Sequence, residues 1–266
     1  KNIPIEGMLA VDEAEATEVF IAFTGSFGVC WCLLFLWRSL IAPMIVHRTT
    51  PREDHLKLSS SFVSCYPALT APFLAAASLH NLMVADENVL AAAPSVLALR
   101  SIGLSLGYFL YDTLFQVLHK EVRSPLIIVH HILSILFFPY ATLRHRCVLL
   151  ILFFIITEVT NIGQHLRIIL LKLGLERTRA YLINGIAWAI SFFFIRILPT
   201  PFLAYKLVYS SYSDFSSVDF FLASSLMPIP FLLNTYWFYL IISGVFKFLS
   251  KPTNKQTTNK SGAKQQ

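Results

Sequence analysis

Seven apolar stretches, near residues 17–37, 62–83, 95–118, 125–141, 147–171, 181–205 and 220–246, follow one another with short polar connections between them. Each approaches the roughly 20 residues that a helix needs to cross a hydrocarbon core. The expected fold is therefore an all-α membrane helix bundle of about seven transmembrane helices. Composition agrees, with 56% hydrophobic and 14% charged residues and a mean hydropathy of +0.64. A soluble domain runs nearer about 45–50% and 25%, and the stretches succeed one another too closely to leave room for one. The fourth stretch is the shortest. Prolines punctuate the second (Pro67, Pro72) and seventh (Pro228, Pro230), and the sixth is expected to end at Pro199-Thr-Pro201; membrane helices tolerate such residues where neighbours satisfy the freed backbone groups.

Charge in the connections orients the chain. Arg38, Arg48, Arg52, Lys57, Lys120, Arg123, Lys172, Arg177, Arg179, Lys247, Lys251, Lys255, Lys260 and Lys264 collect on one side, fourteen of the 21 basic residues. Lys1, Arg144, Arg146 and Lys206 fall on the other. The positive-inside rule then puts the N-terminus outside or lumenal and the C-terminus cytosolic. The net charge of +6 follows from this topology and calls for no nucleic-acid partner. Residues 1–16 form an acidic segment, unlike the basic start of a signal peptide, and Lys1 in place of an initiator Met suggests a processed or truncated start. Residues 17–54 hold the first helix and a basic loop. Residues 251–266 are a polar, basic tail expected to be disordered, and the Asn259-Lys-Ser sequon near its end lies on the cytosolic side.

Cys30, Cys32, Cys65 and Cys147 lack the spacing of a zinc or redox motif and read as small packing residues. Gly103 and Gly107 form a Gly-x-x-x-Gly that lets another helix approach closely, either within the bundle or in a homodimer. P-loop and dinucleotide-binding glycine patterns are absent.

The chemistry-bearing residues lie inside the apolar stretches. His130 and His131 are adjacent, so on a helix they point about 100° apart and cannot both face one neighbour. Ionisable groups within a span face a protein interior or a wet cavity and mark functional sites. Asp112 and His130 lie nine residues from Glu121, in the loop after the third stretch. His165 and Asn184 lie nine and ten from Gly174, in the loop after the fifth. Equal distances mean one layer, about 7–10 Å below the cytosolic helix ends. Glu158, Asn161 and His165 share a helix face by their i, i+3, i+7 spacing. Glu158 is deeper and must be protonated or paired with a base such as Arg196. Asp112 suits the role of a carboxylate that orients a catalytic imidazole. Asn234 completes the polar set. Metal binding is disfavoured: the chain has no His-Glu-x-x-His and no second His at helical spacing. The competing reading is a polar network that only knits helices together.

Gly107-Tyr-Phe-Leu-Tyr-Asp112, His130-His131, the run Asn184 to Arg196, and Leu233-Asn-Thr-Tyr-Trp237 together resemble the TLC domain (TRAM, Lag1 and CLN8 homology) over residues 55–250. The resemblance is nearer to the small TLC-domain-containing proteins than to the ceramide synthases. It implies an endomembrane protein of lipid metabolism, often in the endoplasmic reticulum, with membrane lipids as partners. In ceramide synthases an acyl group passes from acyl-CoA to an amine around the paired histidines, which are followed by His-Asp-x-x-Asp. Here the corresponding positions are Thr157, Glu158 and Asn161, so one imidazole and one carboxylate are missing. The expected site therefore has His130, His131 and Asp112 as reacting groups, and Glu158, Asn161, His165, Asn184, Arg196 and Asn234 around the substrate. It needs no bound cofactor, and acyl-CoA is the candidate co-substrate, its headgroup among Arg123, Arg177 and Arg179. The alternatives are a lipid-holding or transport protein and a structural subunit of a membrane complex.

Overall fold

A computed structural model describes residues 12–47, 49–84, 93–209, 212 and 215–249. Regular structure among these residues is helical throughout. The first rod is α1 (Glu13–Leu36), which passes through a π turn (Trp37–Ile41) into the short α2 (Ala42–Ile45). The next three are α3 (Arg52–Val84), α4 (Val96–Leu118) and α5 (Pro125–Leu143). The fifth rod is α6 (Val148–Thr157) joined by a 3₁₀ turn (Glu158–Thr160) to α7 (Asn161–Lys172). In the sixth, α8 (Arg179–Phe192) continues through a π turn (Phe193–Ile197) to α9 (Thr200–Tyr209). The last is α10 (Ser217–Leu226) followed by α11 (Pro228–Leu249). The polar tail and its sequon lie outside the described residues.

Six of the seven rods are long and apolar enough to cross a membrane alone. The exception is α4, whose 23 residues include Arg100, Asp112, Gln116 and two serines. It occupies the middle of the bundle, packed against α1, α3, α5 and α6. Its surface meets protein instead of lipid, so it can carry polar groups that a lipid-facing helix could not.

Two expectations about helix ends are corrected. The second rod begins at Arg52, ten residues before its apolar stretch, because Glu53 and Asp54 in the first turn suit the positive end of the helix dipole. The sixth does not stop at Pro199-Thr-Pro201. Pro201 lies in the first turn of α9, where its missing N–H costs no hydrogen bond, and the span runs on to Tyr209.

Close packing starts at the two α4 glycines. A Cβ at Gly103 would sit 2.5 Å from the Val19 carbonyl oxygen, and one at Gly107 only 2.3 Å from that of Phe23. The Gly-x-x-x-Gly motif is thus used inside the bundle, against α1. There Ser26 Oγ donates to the Leu104 carbonyl at 2.8 Å, and on the opposite side Ser101 Oγ donates to the Ala71 carbonyl of α3 at 3.0 Å. Ion pairs clamp the end where α4 begins. Glu18 accepts from Arg100 at 2.8 Å, Glu15 meets His145 at 3.0 Å, and buried Asp219 accepts from Arg144 at 2.8 Å and Tyr140 at 2.9 Å. Of the cysteines, Cys30 and Cys147 are buried as expected, whereas Cys32 lies exposed on α1.

Candidate functional site

The opposite end is open. A cavity of about 660 Å³ enters between α3, α5, α7 and α11 and reaches the mid-depth residues Glu158 and Arg196. Its walls carry Asp112, His130, His131, Glu158, Asn161, His165 and Arg196, seven of the nine residues singled out from the sequence. Ser60, Ser61, Ser64, Tyr108, Gln116, Gln164, Trp188 and Trp237 join them. The volume is that of a site for one small-molecule or single-chain ligand.

Asp112 and His131 form the innermost pair on the α4–α5 side. The Asp112 carboxylate is 4% exposed, and its Oδ2 lies 3.4 Å from His131 Nδ1. That is ion-pair range, but the two are not aligned as a hydrogen bond, and Nδ1 has no other protein partner. Gln116 Nε2 donates to the same Oδ2 at 2.5 Å, and Gln116 Oε1 accepts from the Ser124 amide at 2.9 Å, which ties the carboxylate to the first turn of α5. The His131 ring stacks on Phe109 with centroids 4.6 Å apart and planes 19° apart. His130 turns away from that pair, as the 100° helical offset requires. It meets Trp237 of α11 edge-on at 5.8 Å and Phe109 at 6.0 Å.

A second polar group gathers where two rods depart from α geometry. The 3₁₀ turn presents Glu158 and the π turn presents Arg196, and such irregular turns recur at functional positions. Arg196 is 3% exposed and fully engaged. Its Nε donates to the Thr157 carbonyl at 3.1 Å and Thr160 Oγ1 at 2.8 Å, and Nη1 donates to Asn234 Oδ1 at 3.0 Å. Its Nη2 donates to Asn161 Oδ1 at 2.9 Å and reaches Glu158 Oε1 at 3.4 Å, while Asn161 Nδ2 donates to Glu158 Oε2 at 2.7 Å. The guanidinium also lies over the Phe192 ring, 4.9 Å from its centroid. A smaller pocket lined by His130, Glu158, Arg196, Asn234 and Trp237 connects this cluster to the histidine pair.

Two expected residues lie elsewhere. Asn184 Nδ2 donates to the Gly163 carbonyl at 2.8 Å, fastening α8 to α7, and its side chain is absent from the cavity wall. Asn234 acts on Arg196 and borders only the smaller pocket. The basic residues at the open end also differ from expectation. Lys57, Arg167 and Lys172 line the cavity there, whereas Arg123 is spent on the Gln116 and Val117 carbonyls that close α4. Arg177 and Arg179 are exposed in and just after the α7–α8 turn. Lys172 pairs with Asp54 at 2.6 Å, Lys57 with Glu53, and Arg167 rests on the Tyr181 ring at 5.1 Å. The missed serines had one signal in the sequence. Ser60, Ser61 and Ser64 fall at i, i+1, i+4 around the start of an apolar stretch, one side of a helix. Among the described residues no group of three or more His, Cys, Asp or Glu is placed to hold a metal ion.

The arrangement can hold an apolar chain against Trp188, Phe192, Leu240 and Ile241 while presenting a carbonyl or headgroup to two imidazoles and a carboxylate. Comparison with known proteins identifies the family. The TLC domain family matches residues 56–243. The chain is 35% identical over 147 residues to TLC domain-containing protein 4 A of Dictyostelium discoideum, covering 54% of this chain and 57% of that protein. It is 25% identical to TLC domain-containing protein 1 of Gallus gallus, covering 55% and 58%. It is 26% identical to TLC domain-containing protein 4 of Xenopus tropicalis, covering 60% and 64%. The matched stretch therefore spans less than two thirds of each of these relatives. No solved structure matches the fold.

Proposed function

Since the chain belongs to the TLC-domain family, a family of membrane proteins implicated in lipid metabolism, we propose that it transfers a long-chain acyl group within its cavity. The acceptor is an amine- or hydroxyl-bearing lipid, and the setting is an endomembrane such as the endoplasmic reticulum. The observation that carries this reading is the convergence of both histidines, Asp112, Glu158 and His165 on one cavity inside a membrane bundle.

The chemistry uses the groups at hand. A proton on His131 Nδ1 is favoured by the Asp112 carboxylate 3.4 Å away, which leaves the Nε2 lone pair to act as base. As the acceptor's amine or hydroxyl attacks the acyl carbonyl, Nε2 takes its proton. The new C–N or C–O bond forms, the thioester C–S bond of acyl-CoA breaks, and the proton passes to the departing thiolate. Stacking on Phe109 holds the imidazole plane during this exchange. His130, on the other side, adjoins the pocket shared with Glu158 and Arg196 and positions the carbonyl.

His131→Gln keeps hydrogen bonding but cannot titrate. Removing a general base costs on the order of 10²–10⁴ in rate. A knockout complemented with this variant is expected to show the acyl-lipid profile of the knockout, with the variant folded and expressed as the wild type. A wild-type profile in those cells would sink acyl transfer by this pair. Lipid recovered with the purified variant would then leave a holding or transport role.

A further inference from the structure

The cavity reaches more than the basic end of the bundle. Backbone to backbone, α5 packs on α4 and α6, while α11 packs on α8, the π turn after it, and α10. The α5–α11 pair is not among the closely packed ones. Side chains bridge it instead, with Trp237 standing edge-on to His130. Both helices nevertheless line the cavity, α5 through Ile127 and His130 and α11 through Trp237, Leu240, Ile241 and Gly244. Leu126 and Val129 on α5, and Tyr236 and Tyr239 on α11, are exposed immediately beside these lining positions. Leu240 lines the cavity and is itself 46% exposed. The wall between cavity and surroundings is thus one side chain thick along this seam. At Gly244 it is thinner still: a Cβ there would meet nothing within 4 Å.

At this depth the surroundings are acyl chains, because α5 and the α10–α11 rod are both membrane-crossing rods. An apolar seam that parts two such helices admits what the hydrocarbon already contains. Toward the open end the lining changes to Lys57, Arg167 and Lys172; each lysine gives an N–H to its carboxylate, Glu53 or Asp54, and keeps further N–H donors for a phosphate. An apolar seam beside a cationic rim matches a lipid lying in its normal orientation in the leaflet.

We propose that a membrane phospholipid whose headgroup carries an amine or hydroxyl enters this cavity sideways between α5 and α11, one acyl chain passing over Gly244 while its phosphate stays at the Lys57, Arg167 and Lys172 rim. The inference rests on the lipid-acting reading and adds to it both the route and the class of the second substrate. The donor thioester can then use the aqueous mouth while the acceptor comes from the bilayer, so neither has to leave before the other arrives.

The experiment uses the full chain in nanodiscs of phosphatidylcholine doped with phosphatidylethanolamine that carries a diazirine midway along one acyl chain. After illumination, labelling is mapped on the inner-wall residues Gln164, His165 and Ile168 and on the outward-facing Leu232. Wild-type protein is expected to label at both. Gly244→Phe fills open space and improves helix propensity, so the helix stays intact. The ring narrows the seam, so inner-wall labelling is expected to fall about tenfold, equivalent to about 1.4 kcal/mol, with Leu232 unchanged. Leu240→Trp, which narrows the same seam, gives a second reading should the first variant fold poorly. A water-soluble short-chain phosphatidylethanolamine carrying the same diazirine, offered in detergent, bypasses the seam through the mouth and is expected to label both proteins equally. Undiminished inner-wall labelling of both variants in nanodiscs overturns the lateral route alone. Loss of short-chain labelling in Gly244→Phe also overturns it, because Gly244 would then belong to the seat and not the way in. Absence of inner-wall labelling in the wild type with either probe removes the lipid-holding cavity itself, and the proposed function with it.

Discussion

Arg196 is a buried cation at mid-depth in the bundle, and its surroundings explain how it can be there. Thr157, Thr160, Asn161 and Asn234 take its donors, and Glu158 supplies the countercharge 3.4 Å away. Removing one partner of a buried pair typically costs about 3–5 kcal/mol, because the other charge is left uncompensated. Arg196→Leu is therefore expected to lower the melting temperature in detergent sharply. The double variant Arg196→Leu/Glu158→Gln is expected to recover much of that loss. Equal destabilisation of the single and double variants would show that the pair is not the source. Arg196, Glu158 and Asn234 were legible in the sequence because polar groups in apolar stretches are conspicuous. Trp188 and Trp237 were not, since an aromatic in such a stretch is ordinary and only the fold shows that these two face a cavity. The basic residues at the mouth were misplaced for a related reason. Sequence distance from a loop gives depth but not direction, so Arg177 and Arg179 stood out while Lys57, Arg167 and Lys172 did not.

At the scale of the helix, the informative features are the breaks. The 3₁₀ turn at Glu158–Thr160 and the π turn at Phe193–Ile197 fall within single apolar stretches, and neither contains a Gly or Pro, although Pro199 follows the π turn by two residues. Sequence patterning has no signal for such a turn, because the departure is held by tertiary bonds such as Arg196 to the Thr157 carbonyl. The α1–α4 contact, in contrast, was readable from Gly103 and Gly107. It predicts that Gly107→Val is destabilising by about 1–3 kcal/mol or more, since the new Cβ meets the Phe23 carbonyl and Phe27 amide, backbone atoms that cannot turn aside. Gly25 on α1 has nothing within 4 Å of its Cβ position and serves as the control. There Gly→Ala is expected to be neutral or to stabilise by up to about 1 kcal/mol through helix propensity. Thermal unfolding of both variants in the same detergent checks the contrast. A Gly107→Val protein as stable as the Gly25→Ala one would mean that the two helices do not touch there.

For the whole molecule, the two ends differ in kind. The end where α1 and α4 begin is closed by Glu18–Arg100, Glu15–His145 and the Asp219 cluster. The other end carries the cavity mouth and the described part of the basic excess, including Arg38, Arg52, Lys57, Lys120 and Lys172. Seven crossings were countable from hydropathy, although α4 is a crossing of a different sort, shielded from lipid by its neighbours. That shielding is why its polar residues reach the site without facing hydrocarbon. The proposed orientation rests on charge, since a Lys- and Arg-rich side is retained in the cytosol during insertion. A site that takes its acyl donor from acyl-CoA needs its mouth on that same side, because the thioester is anionic and water-borne. Under the proposed function, the direction of the cavity mouth agrees with the charge distribution in assigning the C-terminal end to the cytosol. A tag after Gln266 is expected to be digested by protease in sealed microsomes, and one before Lys1 to be protected until detergent is added. The opposite pattern would put the mouth in the lumen, out of reach of acyl-CoA. It would remove thioester-dependent transfer while leaving the sideways path for a bilayer lipid between α5 and α11 untouched.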